Sequence, residues 1–174
     1  AYYLDKISQA GNILLELIND TLDLSKISSG SILLKPEAHR CDELVRKVLM
    51  AVTPDADKKH IRLTVDDSRA AGVPVLIDAL RAQEIMINLL SNAIKFTPEN
   101  GQVTMLVECD ALNERTVQSR VTVRDTGCGM KAEFLRKLYE PFAQERQNAD
   151  TPGSGLGLTI VKRLVALMNG RIEV

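Results

Sequence analysis

Gly153-Ser154-Gly155-Leu156-Gly157 puts three glycines at alternate positions directly before a helical stretch. Glycine lets backbone approach a ligand closely, and a helix N-terminus presents free N–H groups to an anion. The pattern is that of a phosphate cradle, although a flexible linker before a helix has the same composition. It is neither the dinucleotide-binding spacing nor a Walker A, which ends in Gly-Lys-Ser/Thr. A second chemical group is Asp125 in Asp125-Thr126-Gly127-Cys128-Gly129-Met130. There an alternating strand runs into a carboxylate, and glycines then turn the chain. Such a carboxylate can accept from an exocyclic amine such as that of adenine. An ordinary Asp-Thr-Gly turn reads the same way. Aspartic proteases carry this triplet too, but they need two carboxylates, and the sequence has no second copy. The third group is a line. Glu84, Asn88, Asn92 and Lys95 follow at steps of four, four and three within AQEIMINLLSNAIKFT, residues 82–97. Helical geometry sets them along one side. Asn is a poor helix former, so two of them one turn apart suggest a task other than helix stability. A solvated stripe is the plain alternative.

The elements that must position these groups follow from periodicity. In residues 82–97 the apolar Ile85, Met86, Leu89, Leu90, Ala93 and Ile94 cover a wide face, which predicts a buried amphipathic helix. Residues 1–28 read as one long helix, with Leu4, Ile7, Gly11, Leu14, Ile18, Thr21 and Ser25 on a seam supplemented by Leu15 and Leu22. A helix of this kind needs partner helices. Gly30 is a plausible stop, and Ser-Ser-Gly-Ser at 28–31 reads as a hinge. Ile32–Lys35 is a short strand candidate. Asp42 to about Lys59 reads as an amphipathic helix, interrupted or kinked at Pro54. Strands are expected at 61–65 and 73–77, and a hairpin at 102–109 and 116–124. A short helix at Ala132–Tyr139, a loop over 140–154, a helix at Leu156–Met168 capped by Gly170, and a strand beginning at Arg171–Val174 complete the chain. The order is α+β, with helices on one face of a largely antiparallel sheet.

Composition narrows the classes. The chain has 174 residues, 45% apolar and 26% charged, which is ordinary for a globular protein with a real core. With a net charge of −1, nothing in the balance suggests a nucleic-acid or membrane surface partner. Without Trp and with only 3% aromatics, the core has to be aliphatic. Cys41, Cys109 and Cys128 form neither a metal pattern nor a disulfide framework, which fits a reducing cytoplasm. No apolar run is long enough to span a membrane, and no signal peptide is read. The chain opens in mid-pattern, so it reads as part of something longer that could carry a membrane anchor elsewhere.

Taken in order, Asn88-Leu-Leu-Ser-Asn92-Ala-Ile-Lys95-Phe96-Thr97, Asp125-Thr-Gly-Cys-Gly-Met130, Glu140-Pro-Phe142 and Gly153-Ser-Gly-Leu-Gly-Leu158 resemble the N box, first glycine box, F box and second glycine box of sensor histidine kinases. Order and spacing match over residues 78–170. Leu22-Asp-Leu-Ser-Lys-Ile27, followed by Leu34-Lys-Pro-Glu37, resembles the second helix of that family's dimerisation hairpin and its link to the ATP domain.

The resemblance implies a two-layer α/β sandwich of the histidine kinase, gyrase and heat-shock chaperone ATPase type (the Bergerat fold), preceded by one long helix. It divides the chain into residues 1–30, part of the dimerisation hairpin, and 31–174, an ATP-binding catalytic domain whose last strands are incomplete. It implies ATP and Mg²⁺. Asn92 would give its amide oxygen to Mg²⁺, with Asn88 beside it; a neutral amide suffices where the triphosphate supplies charge. Lys95 would reach the phosphates, and Phe96 would lie against adenine. Asp125 would accept from the adenine amino group, and Gly127 and Gly129 would let backbone approach the base. Gly153, Gly155, Leu156 and Gly157 would wrap the phosphates. Residues 131–154 would form a lid, anchored by packing of Phe142 and with Arg146 as a candidate for phosphate charge. Ser91 and Thr97 read as structural. Cys128 stands where the family has an apolar residue and reads as a small hydrophobe.

The implied activity is transfer of the ATP γ-phosphoryl to a His on a dimerisation helix, for relay to the receiver domain of a response regulator. Positioning and charge stabilisation are what such a transfer needs most. The acceptor lies on the family's first hairpin helix. His39 and His60 are in other contexts and read as surface residues, so the stretch is expected to lack the acceptor and to act only on one supplied to it. Self-dimerisation is expected of the full-length protein, and a monomer or weak dimer of this stretch. Gyrase-type and chaperone ATPases are the alternative. They place a water-activating Glu four residues before the metal Asn, where this chain has Asn88, and an amide is no general base. Glu84 stands a further turn back. A non-catalytic scaffold binding partners through its N-terminal helix is the remaining alternative.

Overall fold

A computed structural model of the chain describes residues 2–113, 116–145 and 153–174. It divides into two compact units: residues 34–129, and residues 1–33 together with 130–174.

The 34–129 unit contains β1 (Glu37–Arg40), α2 (Cys41–Lys58), β2 (Arg62–Arg69), β3 (Pro74–Ile77), α3 (Ala79–Phe96), β4 (Gln102–Asn113) and β5 (Thr116–Asp125). β1 and β3 form an antiparallel pair, and a second sheet has the order β2-β4-β5. β4 pairs antiparallel with β5 as the expected hairpin, with Val103 opposite Asp125. β2 pairs with β4 in parallel, so the three-stranded sheet is mixed, while the other two strand pairings are antiparallel. Parallel neighbours need a long crossover. Here the chain between them runs through β3 and α3, and the crossover thereby sets α3 against the sheet.

The core follows directly from the two periods. On β4, Val103, Met105 and Val107 alternate inward and are buried. On α2, Leu44, Val45, Val48, Val52 and Ala56 are buried, and on α3, Ala82, Met86, Leu90, Ala93 and Ile94. The two helices pack on each other and on the strands, giving two layers. Removing the fully buried Leu90 side chain, Leu90→Ala, would cost about 2–5 kcal/mol.

In the other unit, α1 (Tyr2–Ser28) packs on α5 (Gly157–Leu167), and α4 (Ala132–Leu135) lies between them in sequence. At 3.6 residues per turn, α1 has two opposed faces. Leu17, Asp20, Leu24 and Ile27 are partly covered, whereas Leu4, Ile7, Leu14, Leu15, Ile18 and Leu22 are exposed. The apolar seam read from the sequence is the exposed face.

Several local expectations are corrected. Ile32–Lys35 is not a strand, because the Lys35 N–H donates to the Asp78 carboxylate at 3.0 Å instead of to a ladder; the strand starts at Glu37. The Ser-Ser-Gly-Ser stretch is a closed helix cap rather than an open hinge: Gly30 has φ +68° and the Ser31 N–H returns to the Lys26 carbonyl at 3.0 Å. α2 runs through Pro54 without a break. α4 ends at Leu135 and continues as single i→i−3 turns to Glu140. Pro141 disfavours helical geometry at the residue before it. At the end of α5 it is Asn169, with φ +57°, that takes the left-handed conformation, while the Gly170 N–H closes on Val165. Arg171–Val174 is not paired as a strand.

Candidate nucleotide site

α3 is the main scaffold in the 34–129 unit. Its N-terminus is fixed by Asp78, whose side chain accepts from the Arg81 N–H at 3.1 Å and from the Lys35 N–H at 3.0 Å. Burial works to raise the Asp78 pKa, but these backbone donors outweigh it and hold the carboxyl below its ordinary value. The C-terminus of α3 is held by Lys59. Its ammonium donates to the carbonyls of Ile94 (2.8 Å), Lys95 (2.9 Å) and Thr97 (2.6 Å). One cation thus serves carbonyls left over at the helix end, where the macrodipole also favours positive charge. Lys59 was not read from the sequence as part of this scaffold. Its signal, a Lys just after a helix, is too common to single out.

With its ends fixed, α3 turns Leu90 inward and the line Glu84, Asn88, Asn92 and Lys95 to the opposite side. Glu84 is committed to an ion pair with Arg81 at 2.7 Å. The Asn88 amide nitrogen donates to the Glu84 carbonyl at 3.1 Å, so its oxygen is the group left for a ligand. Asn92 is partly buried and makes no side-chain hydrogen bond among the described residues. Two amide oxygens one turn apart suit a hard cation that takes most of its coordination from water and phosphate. The Lys95 ammonium lies 5.1 Å from the centroid of the Phe96 ring, and Phe96 is 37% exposed. Thr97 is buried and its hydroxyl donates to the Ala93 carbonyl at 2.7 Å, a structural role as expected.

The turn after β5 meets the end of α3. Asp125 Oδ1 accepts from the Gly127 N–H at 2.8 Å, leaving the second carboxylate oxygen for another donor. A Cβ on Gly127 would lie 2.6 Å from Asp125 Oδ1 and 2.7 Å from the Phe96 carbonyl oxygen. This glycine is required by packing of the turn on α3. Gly129 differs: it has open space around it, and its φ of +67° favours glycine. Thr126 and Gln102 exchange hydrogen bonds that keep the turn in register with β4. The structure therefore brings Asn88, Asn92, Lys95, Phe96, Asp125, Gly127 and Gly129 onto one helix and the turn adjoining its end.

Phe142, Gly153, Gly155, Leu156 and Gly157 belong to the other unit. Gly155 has φ +70°, and a Cβ there would come within 3.0 Å of the Phe142 backbone. The Phe142 N–H donates to the Gly155 carbonyl at 3.1 Å, and Gln144 donates to the Gly153 carbonyl at 2.8 Å. The two ends of the 142–155 segment are thus tied together by one backbone and one side-chain hydrogen bond. The expected packing of Phe142 is corrected: the residue is 62% exposed, and it is its backbone, at φ +63°, that is bonded to Gly155. Arg146 and the rest of 146–152 lie outside the described residues. The Ser154 hydroxyl donates to Asp20 on α1 at 2.6 Å and accepts from the Leu156 N–H at 3.1 Å. α5 then starts at Gly157 with Leu156 at its N-cap and no side chain capping it. Its first N–H groups are of the kind that bind anions.

His60 sits in the exposed left-handed turn closing α2, at φ +52°. His39 lies on β1, about a quarter exposed, 4.0 Å from Glu37. Among the described residues no cluster of three His, Cys, Asp or Glu could hold a metal, and no helix is long and apolar enough to cross a membrane.

Residues 77–174 match the family model described as histidine kinase-, DNA gyrase B-, and HSP90-like ATPase. The sensor histidine kinase GacS of Pseudomonas protegens is 35% identical over 99% of this chain and 19% of its own length. The signal transduction histidine-protein kinase BarA of Escherichia coli is 36% identical over 98% of this chain and 19% of its own. The chain thus spans about a fifth of the length of these curated relatives. Full-length ShkA, solved in complex with AMPPNP, superposes with a TM-score of 0.75 at 31% identity, covering 97% of this chain and 34% of that one. The histidine kinase ThkA, solved in complex with the response regulator protein TrrA, gives a TM-score of 0.72 at 25% identity over 97% of this chain and 44% of that one. The α+β fold is that of the histidine kinase catalytic domains, the Bergerat type.

Proposed function

Because the chain belongs to the histidine kinase-, DNA gyrase B- and HSP90-like ATPase family and is a histidine kinase catalytic domain, we propose that it binds ATP with Mg²⁺ and donates the γ-phosphoryl to a His on a dimerisation helix. The observation that carries this reading is the polar line of α3, with the Asn92 amide unspent and the Asn88 amide oxygen left available. Asn92, with Asn88 beside it, holds Mg²⁺, which supplies charge neutralisation at the triphosphate. Lys95 neutralises phosphate charge, Phe96 covers the adenine face, and Asp125 accepts the adenine amino group. Gly153, Gly155, Leu156 and Gly157 follow the phosphates with backbone N–H groups, and Phe142 holds the segment that borders them.

Glu84 is paired with Arg81, and the position one turn before Asn92 is an amide. An amide there is no general base, and the Glu84 carboxylate stands a further turn back, held by Arg81, which favours transfer to an acceptor over hydrolysis. Residues 1–30 serve as the second helix of a dimerisation hairpin, and 31–174 as the ATP-binding domain. The exposed apolar face of α1 is the surface a self-dimer of the whole protein uses. The downstream partner is the receiver domain of a response regulator, in the cytoplasm.

The test is binding of a non-hydrolysable ATP analogue with and without Mg²⁺. Asn92→Ala loses the Mg²⁺-dependent part, and Asp125→Ala weakens binding in either condition, each by tenfold or more, equivalent to ~1.4 kcal/mol. Undiminished affinity in both variants would overturn the site. Phosphate label stable to base and labile to acid on His39 or His60 of this chain alone would overturn the need for a supplied acceptor.

A further inference from the structure

Cys41 and Cys109 are far apart in sequence, yet their sulfurs lie 3.7 Å apart. Cys41 is buried at the first position of α2, and Cys109 is partly exposed on β4. Both backbones are anchored: the Cys41 N–H donates to the Val73 carbonyl at 3.1 Å, and Cys109 stands opposite Ser119 in the β4–β5 ladder. A disulfide needs sulfurs about 2.05 Å apart and Cβ atoms about 3.5–4.5 Å apart. The two sulfurs have to close by roughly 1.7 Å to bond. We propose that Cys41 and Cys109 form a redox site that closes to an intramolecular disulfide when a peroxide is the oxidant.

The more exposed sulfur is the entry point. Cys109, as thiolate, attacks one peroxide oxygen, the O–O bond breaks, and the departing hydroxide takes a proton to become water. Cys109 is left as a sulfenic acid. The Cys41 sulfur then attacks the Cys109 sulfur and the S–O bond breaks. The Cys41 proton leaves with the hydroxide as a second water. Two thiols lose two electrons and one peroxide gains two. Burial and the neighbouring Cys109 thiol push the Cys41 thiol up to about 12, so Cys41 is neutral near pH 7 and is the resolving partner rather than the first sulfur oxidised. The bridge would join the start of α2 to β4 and close a loop containing α2, β2, β3 and α3. That constrains the unfolded chain and stabilises this unit.

The experiment uses the Cys128→Ser protein, which removes the exposed third cysteine from competition. After peroxide treatment, both thiols disappear together and the intact mass falls by about 2 Da. A non-reduced peptide map contains one species linking Cys41 to Cys109, and dithiothreitol reverses it. The melting temperature of the oxidised protein rises by roughly 5 °C. In Cys128→Ser/Cys41→Ser the sulfenic acid of Cys109 persists and is trapped by dimedone. Sulfinic acid on Cys109 without a linked peptide, bridges only between molecules, or two unreacted thiols would each overturn the proposal. The peptide map decides on the first variant alone, whether or not the second folds.

Discussion

The carbonyl oxygen of Phe96 lies where a Cβ on Gly127 would have to go, 2.7 Å away. The end of α3 and the turn after β5 are therefore packed backbone to backbone. Gly127→Ala forces them apart and is expected to cost about 1–3 kcal/mol, as overpacking does. Because the displaced atoms adjoin Phe96 and Asp125, affinity for an ATP analogue falls with it. Urea unfolding and analogue binding measure the two effects. Gly129→Ala meets open space and suffers only the strain of a left-handed residue, ~1–2 kcal/mol.

Lys59 reaches from the end of α2 to three carbonyls of the last turn of α3. Lys59→Met keeps the stem and removes the charge. A loss of about 1.5–3 kcal/mol is expected, the scale of hydrogen bonds to a charged group. Amide exchange should accelerate selectively at residues 94–97. A loss confined to global stability, with no local acceleration, would mean that the cation does not hold this helix end.

Asp78 makes stability depend on pH. Its folded pKa lies below the unfolded value, so its contribution is fully present above the unfolded pKa and is lost as pH falls through the folded one. The window is acidic, below about pH 4, the ordinary carboxylate value. Asp78→Ala should cost about 0.5–2 kcal/mol near neutral pH, as loss of an N-cap does. Its stability should also fall less between neutral and acidic pH than that of the unaltered chain. Parallel pH profiles of the two proteins would contradict this role.

Asp20 and Ser154 join α1 to the glycine run at 2.6 Å, and Ser154 in turn accepts the Leu156 N–H. Asp20→Ala leaves that hydroxyl without its carboxylate acceptor. Hydrogen exchange at residues 155–157 should quicken by about tenfold, corresponding to ~1.4 kcal/mol, within the range for a hydrogen bond to a charged group. Unchanged exchange there would show that the glycine run is ordered without α1.

Glu84 supplies a negative control. Its carboxylate is paired with Arg81, and Glu84→Gln should change Mg²⁺-dependent analogue binding by less than about twofold, ~0.4 kcal/mol. A tenfold loss would place Glu84 at the metal and revive a hydrolytic reading.

Sequence alone determined what local physics controls. The helical period at Met86, Leu90, Ala93 and Ile94 predicts α3 and its buried face, and the same period fixes the line of Asn88, Asn92 and Lys95 on the opposite side. Alternation at Val103, Met105 and Val107 predicts β4, and the four ordered boxes placed the chain in its family. The tertiary structure decided whatever depends on a distant partner. The parallel pairing of β2 with β4 follows from a crossover through α3, and alternation looks the same in parallel and antiparallel strands. Lys35 leaves the strand set because Asp78, far along the chain, takes its N–H. Lys59 becomes the clamp on α3 only because α2 ends beside Thr97. Gly127 reads as room for a ligand, and the packing of the turn on α3 adds that it is also clearance for the Phe96 carbonyl. Residue type and spacing specify which chemistry is available. Contacts across tens of residues depend on packing of the whole core, and they decide where each group is held.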